Sequence, residues 1–243
     1  MNIINQQDQN PSGSYESQGV MVKNFMSNVF SWMGIAMAIT ALTAYFFAND
    51  ASMMKLLVNY ETGGMTIMGW VVMLAPIGLV IWISRGFQRM SYGTLVIVFG
   101  IFSILMGMSL SFILLAYTGA SVAQTFLTTT LMFGVMAVVG YTTKTDLTKF
   151  GSILFMALIG IIIASVINMF MHSGTMDYII SFIGVLLFTG LIAYDVQKLK
   201  RIGTGIMYQN EDANKLAIMG ALSIYLDFIN LFLFLLRFMG NRR

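Results

Sequence analysis

The stretch LIAYDVQKLKRI, residues 191 to 202, ends a long apolar run with an aspartate, Asp195, and follows it with three basic side chains. A second stretch, ALSIYLDFINLFLFLLRF at residues 221 to 238, places another aspartate, Asp227, in the middle of an apolar run. About 20 apolar residues are enough for a helix to cross the hydrocarbon core of a bilayer. Carboxylates inside such helices are energetically costly, so the two aspartates indicate a functional site.

The composition of the whole chain also indicates a membrane protein. Of its 243 residues, 58% are hydrophobic and only 9% are charged, whereas about a quarter of the residues in a soluble domain are charged. So few charges cannot cover a water-facing surface, which predicts an all-α polytopic membrane protein. The absence of cysteine excludes disulfide and thiol chemistry, and a single histidine, His172, argues against a histidine-based metal site.

The apolar runs divide the chain into a polar tail and one membrane domain. Residues 1–22 are rich in Asn, Gln and Ser without a basic region and short apolar core, so we expect a disordered cytoplasmic tail and no cleavable signal peptide. Residues 23–243 are predicted to form a single bundle of seven transmembrane helices. The predicted spans are Ser27–Ala48, Met65–Ser84, Thr94–Ala116, Val122–Tyr141, Phe150–Phe170, Tyr178–Val196 and Leu216–Phe238.

The distribution of basic residues predicts the orientation of these spans. Nine basic side chains fall on the side of the N-terminus: Lys23, Arg85, Arg89, Lys144, Lys149, Lys198, Lys200, Arg201 and Lys215. Four fall on the other side: Lys55, Arg237, Arg242 and Arg243. Basic residues concentrate in cytoplasmic loops, so the N-terminus is predicted to be cytoplasmic and the C-terminus external. A re-entrant last segment is the alternative, because it would move the three C-terminal arginines to the cytoplasmic side.

Two carboxylates in adjacent spans are compatible with three kinds of chemistry. Ser223, Asp227 and Asn230 share one face of the last span, as expected for a helix that faces a bundle interior. If Asp195 lies close to Asp227, the two groups would share a proton and form a proton-sensitive latch. Ionised, their oxygens suit a hard cation such as calcium. A pair of aspartates can also activate water for peptide hydrolysis.

The hydrolase interpretation fits the sequence less well than an ion pathway. Intramembrane aspartyl proteases carry Tyr-Asp on one span and Gly-x-Gly-Asp on the next. Tyr194 and Asp195 match the first element, but Asp227 is preceded by Ile-Tyr-Leu, and no Pro-Ala-Leu element follows.

The two stretches resemble the signature of a known family. FTGLIAYDVQKLKRI, residues 188 to 202, followed by KLAIMGALSIYLDFINLFLFLLRF, residues 215 to 238, is similar to the Bax inhibitor-1 family of transmembrane Bax inhibitor motif proteins, in its prokaryotic branch. The match is most specific at Tyr194, Asp195, Gln197 and Lys198, and at residues 225–231. Over the first 140 residues the resemblance rests on the number and spacing of the spans.

The resemblance implies a fold and a mechanism. It implies seven helices with the last one central and surrounded by the other six, and a calcium leak in which Asp195 and Asp227 form a hydrogen-bonded pair that senses pH and gates the pathway. It also implies a latch arginine near the cytoplasmic end of the second span, for which Arg85 is the candidate and Arg89 the alternative. Some members carry an acidic residue in the second span, whereas Met65–Ser84 contains none.

These observations lead to one functional hypothesis and one main alternative. We expect a non-enzymatic, pH-sensitive calcium leak channel of the bacterial plasma (inner) membrane, gated by Asp195 and Asp227 with Ser223 and Asn230 as a supporting polar face. Calcium is expected as the transported ion, in transient contact with both aspartates, without a cofactor. The expected partners are the lipid bilayer, calcium and protons but no nucleic acid, and the expected state is a monomer. The alternative is a non-transporting regulator that binds a membrane-bound protease or a stress-response partner.

Overall fold

The computed structural model describes residues 11–60, 63–206 and 210–242, and most of these residues are helical. The helices are α1 Pro11–Asn49, α2 Ala51–Lys55, α3 Ile67–Gly86, α4 Tyr92–Ala116, α5 Gly119–Thr142, α6 Gly151–Met171, α7 Gly174–Thr204 and α8 Glu211–Met239. Strands β1 Val58–Asn59 and β2 Gly64–Met65 pair antiparallel between α2 and α3, and a 3-10 turn, Leu147–Phe150, precedes α6.

The prediction of seven membrane spans in an all-α chain is confirmed. Seven helical segments are long and apolar enough to cross a membrane, and each overlaps one of the predicted spans. The last of them, α8, is a continuous helix of 29 residues, which corresponds to roughly 44 Å at a rise of about 1.5 Å per residue. A helix of that length is sufficient to cross the bilayer without a break, which favours a seventh full span over the re-entrant alternative.

Most of these helices are preceded by a polar residue that lies in a short connection and caps the helix N-terminus. Each accepts a hydrogen bond from a backbone N–H that has no partner inside the first helical turn. The capping side chains are Thr66 for α3, Ser91 for α4, Thr118 for α5, Ser173 for α7 and Asn210 for α8. Consecutive spans can therefore reverse direction in a few residues.

The start of α1 differs from the sequence prediction. Of the predicted disordered tail, residues 1–10 lie outside the described residues, but α1 begins at Pro11 rather than at Ser27. The side-chain amide of Gln18 donates to the carbonyl of Thr204 at 3.0 Å, and Val22 is buried. The expectation for residues 11–22 is therefore wrong, because the end of α7 offers a surface on which this polar extension of α1 packs.

The molecule has two opposite sides at which the helices begin and end, and contacts between helix ends identify each of them. On the side of the α1 start, which we call the N-terminal side, the backbone N–H of Tyr92 donates to Glu211 at 3.1 Å. On the opposite side, called the far side, the N–H of Thr118 donates to the carbonyl of Asn241 at 3.1 Å. The N–H of Asn241 in turn donates to the hydroxyl of Ser121 at 3.0 Å. The start of α1 and the end of α8 therefore lie on opposite sides of the molecule.

The last helix is the most buried of the seven spans. In the most apolar part of α8, 67% of the residues are buried, against 6% for the segment that contains α6. Helix α8 packs against α1, α4, α5 and α7, whereas α3 packs mainly on α4 and α6 mainly on α7. The prediction that six helices surround the last one is therefore not confirmed, although α8 forms much of the core.

Small and polar residues allow the helices around α8 to approach closely. Thr40 of α1 donates to the carbonyl of Ser103 at 2.9 Å, and its hydroxyl lies 2.7 Å from that of the fully buried Tyr225. A side chain at Gly107 of α4 would collide with the backbone of Thr40. The absence of a side chain at Gly107 thus allows α4 to pack directly against α1.

Gly140 of α5 lies so close to the backbone of α7 that no side chain fits there. A Cβ atom at Gly140 would lie 2.3 Å from the carbonyl oxygen of Ala193, two residues before Asp195 on α7. Gly140→Ala is therefore expected to lower the free energy of unfolding by about 1–3 kcal/mol. Thermal unfolding of the protein in detergent measures this. Gly160→Ala is the control, because no atom lies within 4 Å of the position of its Cβ; equal melting temperatures for the two variants would contradict the close-packing argument.

Candidate functional site

The two aspartates predicted from the sequence meet between α7 and α8. These helices run in opposite directions, and the carboxyl groups of Asp195 and Asp227 are within hydrogen-bond reach of each other. The hydroxyl of Ser223 donates to Oδ2 of Asp195. Ser223 and Asp227 lie four residues apart on one face of α8, so both face the same carboxyl group on α7.

The hydrogen bonding of Asp227 is incomplete without a proton. Its side chain is buried, and Oδ2 has no hydrogen-bond partner among the described residues. Ionised carboxylates only accept hydrogen bonds, so neither aspartate can donate to the other while both are charged. A single proton on the pair would supply the missing donor, and double ionisation of adjacent buried carboxylates is disfavoured.

A cavity of about 260 Å³ opens beside Asp195, between α3, α7 and α8. We call it the vestibule. Its lining consists of Val80, Ser84, Asp195, Lys198, Leu199, Ile202, Leu216, Met219, Gly220, Leu222, Ser223 and Leu226. Most of these residues lie between the pair and the N-terminal side. Asp227 is not part of the lining, so Asp195 stands between the vestibule and the buried carboxyl group of Asp227.

The structure brings some of the predicted site residues to the pair and not others. Ser223 contacts Asp195, but the amide of Asn230 donates to the carbonyl of Leu226 on its own helix at 2.8 Å. Arg85 is exposed at the end of α3 and does not line the vestibule. Among the described residues, Arg85 forms no salt bridge with either aspartate.

Lys198 is a cationic side chain at this site to which the sequence analysis assigned no role. Its side chain lines the vestibule together with Asp195, and its charge acts on that carboxyl group. The spacing of three residues on one helix could have indicated this, because side chains at i and i+3 lie on the same face.

The chain matches a known protein family over nearly its whole length. The family model described as "Inhibitor of apoptosis-promoting Bax1" matches residues 22–243. The chain belongs to the Bax inhibitor-1 family. The resemblance recognised in residues 188–238 is therefore confirmed and extends over nearly the whole chain.

Relatives in several bacteria align over almost their full length. The inner membrane protein YbhL of Escherichia coli K12 is 44% identical over 223 residues, which cover 91% of this chain and 93% of YbhL. The uncharacterized protein RP147 of Rickettsia prowazekii is 41% identical over 222 residues, with 91% of each chain covered. An uncharacterized protein of Borreliella burgdorferi is 42% identical over 229 residues, covering 94% of this chain and 97% of that protein.

In this Bax inhibitor-1 family member, the α5–α6 connection is fixed to α7 just beyond Asp195. The buried amide of Gln197 donates to the carbonyl of Thr145 and accepts from the N–H of Leu147, both at 2.8 Å. One turn further, Arg201 pairs with Asp146 at 2.7 Å. We call these contacts the loop clamp. They hold the α5–α6 connection against the part of α7 that carries the pair.

The site offers few ligands for a metal ion. Within residues 11–60, 63–206 and 210–242, no group of three or more His, Cys, Asp or Glu side chains could hold one. Asp195 and Asp227 with the hydroxyl of Ser223 provide fewer oxygens than the six to eight that calcium prefers. A calcium ion that reached Asp195 would therefore keep part of its water shell.

Removing the hydroxyl of Ser223 should weaken the contact between α7 and α8. Ser223→Ala deletes a donor to a partly buried carboxyl group, and we expect the free energy of unfolding to fall by about 1–2 kcal/mol. Ser181→Ala is the control, because the buried hydroxyl of Ser181 donates to the carbonyl of Asp177 on its own helix. Thermal unfolding in detergent distinguishes the two, and an equal small effect would argue against an interhelical role for Ser223.

The loop clamp should weaken in acid. Hydrogen bonds from Thr148 and the guanidinium of Arg201 lower the pKa of Asp146 from 3.8 to about 2. Because this pKa is lowered by folding, the stabilisation is complete above about pH 4 and is lost as the pH falls towards about 2. We expect the Thr148 N–H, which donates to Asp146 at 3.0 Å, to exchange with deuterium faster below about pH 3, after correction for intrinsic rates.

The same clamp can be tested at neutral pH with a protease. Asp146→Asn removes the ion pair, so trypsin should cleave at Lys144 or Lys149 faster than in the wild type. Asp212→Asn serves as the control, because it breaks an exposed ion pair with Lys215 on the same side of the molecule. Unchanged cleavage of the Asp146 variant would show that the clamp does not restrain the loop.

Proposed function

We propose that this multi-pass membrane protein of the Bax inhibitor-1 family is a calcium leak channel, gated by protons at the Asp195–Asp227 pair. The observation that supports this most strongly is the contact of a buried carboxyl group with a second one that faces a cavity. Asp195 lines the vestibule and Asp227 lies behind it, buried from solvent. Ions and protons that enter the vestibule reach Asp195 first.

A shared proton would hold α7 and α8 together at this point. It supplies the donor that Asp227 lacks, while Ser223 donates to Asp195 from the same face of α8. Without that proton, two adjacent carboxylates would repel each other in a medium of low dielectric constant. Loss of the proton therefore loosens the α7–α8 contact, and protonation of the pair sets the conformation of the pathway.

In this proposal Lys198 takes the part that the family resemblance assigned to an arginine. Its side chain lines the vestibule together with Asp195, so a cation that enters the vestibule meets this ammonium group beside the carboxyl group. Arg85 lies outside the vestibule, so its contribution as a latch would require α3 to move. Removing Lys198 would leave Asp195 and Ser223 as the polar groups that a cation meets at the end of the vestibule.

Calcium is the expected cargo because carboxylate oxygens suit hard cations. The incomplete ligand set is an advantage for a leak, since an ion that binds weakly can leave the site again. Beyond the pair, Phe228 packs edge-on against Phe126 and Phe133, with ring centroids 5.6 Å apart in both cases. In this proposal these rings, next to Asp227 along α8, would have to separate for an ion to pass towards the far side.

We also propose that the protein lies in the bacterial plasma (inner) membrane with its N-terminus in the cytoplasm. Its relative YbhL is an inner membrane protein of Escherichia coli. The basic side chains are concentrated on the N-terminal side, which is the distribution typical of cytoplasmic loops. The vestibule and Lys198 would then face the cytoplasm.

Calcium entry into liposomes that contain the purified protein tests the proposal. We expect flux above that of empty liposomes. The flux should also differ between about pH 6 and about pH 8, because a buried carboxyl pair is expected to lose its shared proton within this range. Asp195→Asn and Asp227→Asn should each remove the pH dependence, because an amide cannot lose the proton. Asp212→Asn, an exposed carboxylate on the N-terminal side, should behave like the wild type.

Three results would contradict the proposal. Absence of flux at either pH, from protein with a cooperative melting transition, would overturn the channel and favour a regulator that binds a membrane-bound protease or a stress-response partner. Flux whose pH dependence survives both substitutions would retain a channel but remove the pair as its sensor. Peptide cleavage that disappears with either aspartate would instead identify a hydrolase.

A further inference from the structure

A second polar cavity, of about 610 Å³, lies on the far side where α6, α7 and α8 meet. We call it the far-side cavity. Its polar wall includes Asn168, His172, Asp177, Arg237 and Arg242, and it shares no lining residue with the vestibule. With two arginines and one carboxylate, the charged side chains of this lining carry an excess of positive charge. Such a cavity favours an anionic ligand.

Both guanidinium groups are oriented by aromatic rings. Arg242 lies over the ring of Tyr117 at 5.7 Å and donates from Nε to the Tyr117 hydroxyl at 3.3 Å. Arg237 lies over the ring of Phe234 at 5.7 Å. Stacking on aromatic faces restricts the arginine rotamers, so little conformational entropy is lost when a ligand binds.

Asp177 neutralises only part of this charge. It lies 3.5 Å from Arg237 and 3.9 Å from Arg242, distances typical of loose ion pairs rather than of short bidentate ones. Each guanidinium has five N–H donors, so both retain donors that can bind the oxygens of a phosphate.

Another part of the wall is apolar and exposed on the outer surface of the bundle. Val166 and Met169 of α6 line the far-side cavity, and their exposed fractions are 50% and 62%. The cavity thus joins phosphate-binding side chains at the ends of helices to an apolar surface that continues along α6. A free phosphate ion would contact only the first of these two parts, whereas a phospholipid would contact both.

We propose that the far-side cavity binds the phosphate headgroup of an anionic phospholipid from the far-side leaflet. Arg237 and Arg242 hold the phosphate, and an acyl chain lies along Val166 and Met169. The bound lipid connects α6 to the end of α8, two helices that are joined in this region mainly through α7. This proposal does not depend on calcium flux or on the aspartate pair.

Native mass spectrometry of the full-length protein in detergent tests the proposal. Phosphatidylglycerol should bind more tightly than phosphatidylcholine, and Arg237→Gln combined with Arg242→Gln should weaken its binding about tenfold or more. Lys55→Gln, which removes a basic side chain on the far side outside this cavity, should leave binding unchanged. Asp177→Asn should tighten binding, because the competing carboxylate is removed.

Three results would overturn the proposal. One is equal binding of both lipids by the wild type, and another is binding of phosphatidylglycerol that is insensitive to all three substitutions in the cavity. The third concerns the source of the phosphate: inorganic phosphate that raises the melting temperature of the wild type but not of the arginine variant, without preferential lipid binding, would identify a free-anion site. Melting curves of each variant verify folding, and the opposite effect of Asp177→Asn keeps the test informative if the double variant is unstable.

Discussion

The contact between Asp195 and Asp227 imposes a requirement on the structure around it. Two carboxyl groups can lie together in a membrane domain only if a proton or a cation compensates them. The neighbouring residues meet this requirement unequally, since Ser223 donates to Asp195 and Lys198 lies beside it, while one oxygen of Asp227 has no donor among the described residues. The pair therefore has polar neighbours on the vestibule side, whereas the buried Oδ2 of Asp227 has no hydrogen-bond partner within the described part of the chain.

Small residues bring these groups together. Gly140 allows α5 to lie against the backbone of α7 at Ala193, and Gly220 of α8 makes room for Leu199 of α7. These close approaches occur on either side of Asp195 along α7. In lipid, where apolar surfaces gain little by leaving their surroundings, such packing and the interhelical hydrogen bonds provide much of the association energy. The geometry of the pair thus depends on residues that carry no charge.

Charged side chains have different partners on the two sides of the molecule. On the N-terminal side, Lys198 lines the vestibule, and the loop clamp of Gln197 and Arg201 holds the α5–α6 connection on α7. On the far side, Arg237 and Arg242 share one carboxylate and lie over aromatic rings. The two polar cavities therefore lie on opposite sides of the molecule and differ in the charged residues that line them.

Much of the fold follows from the sequence alone, because the signals are local. Runs of apolar residues determined all seven spans, and the polar side chains between them determined where most helices begin. Helical periodicity placed Ser223 on the same face as Asp227, and the residues around Asp195 and Asp227 identified the family. Local patterns were less reliable at the start of α1, where polar residues form a helix because the end of α7 packs against them.

Other features were decided only by tertiary structure. Arg85 and Lys198 are both basic residues on the N-terminal side, yet only Lys198 shares a cavity with Asp195. Helix α3 contributes Val80 and Ser84 to the lining of that cavity, and not Arg85. Asn230 has the helical spacing that predicts a place on the same face as Asp227, but its amide donates to the carbonyl of Leu226 on its own helix. Asp177 contacts Arg237 and Arg242, which lie a whole helix further along the chain. Periodicity relates residues within one helix, whereas these contacts depend on how closely separate helices approach, which is set by the shapes of side chains far apart in the sequence.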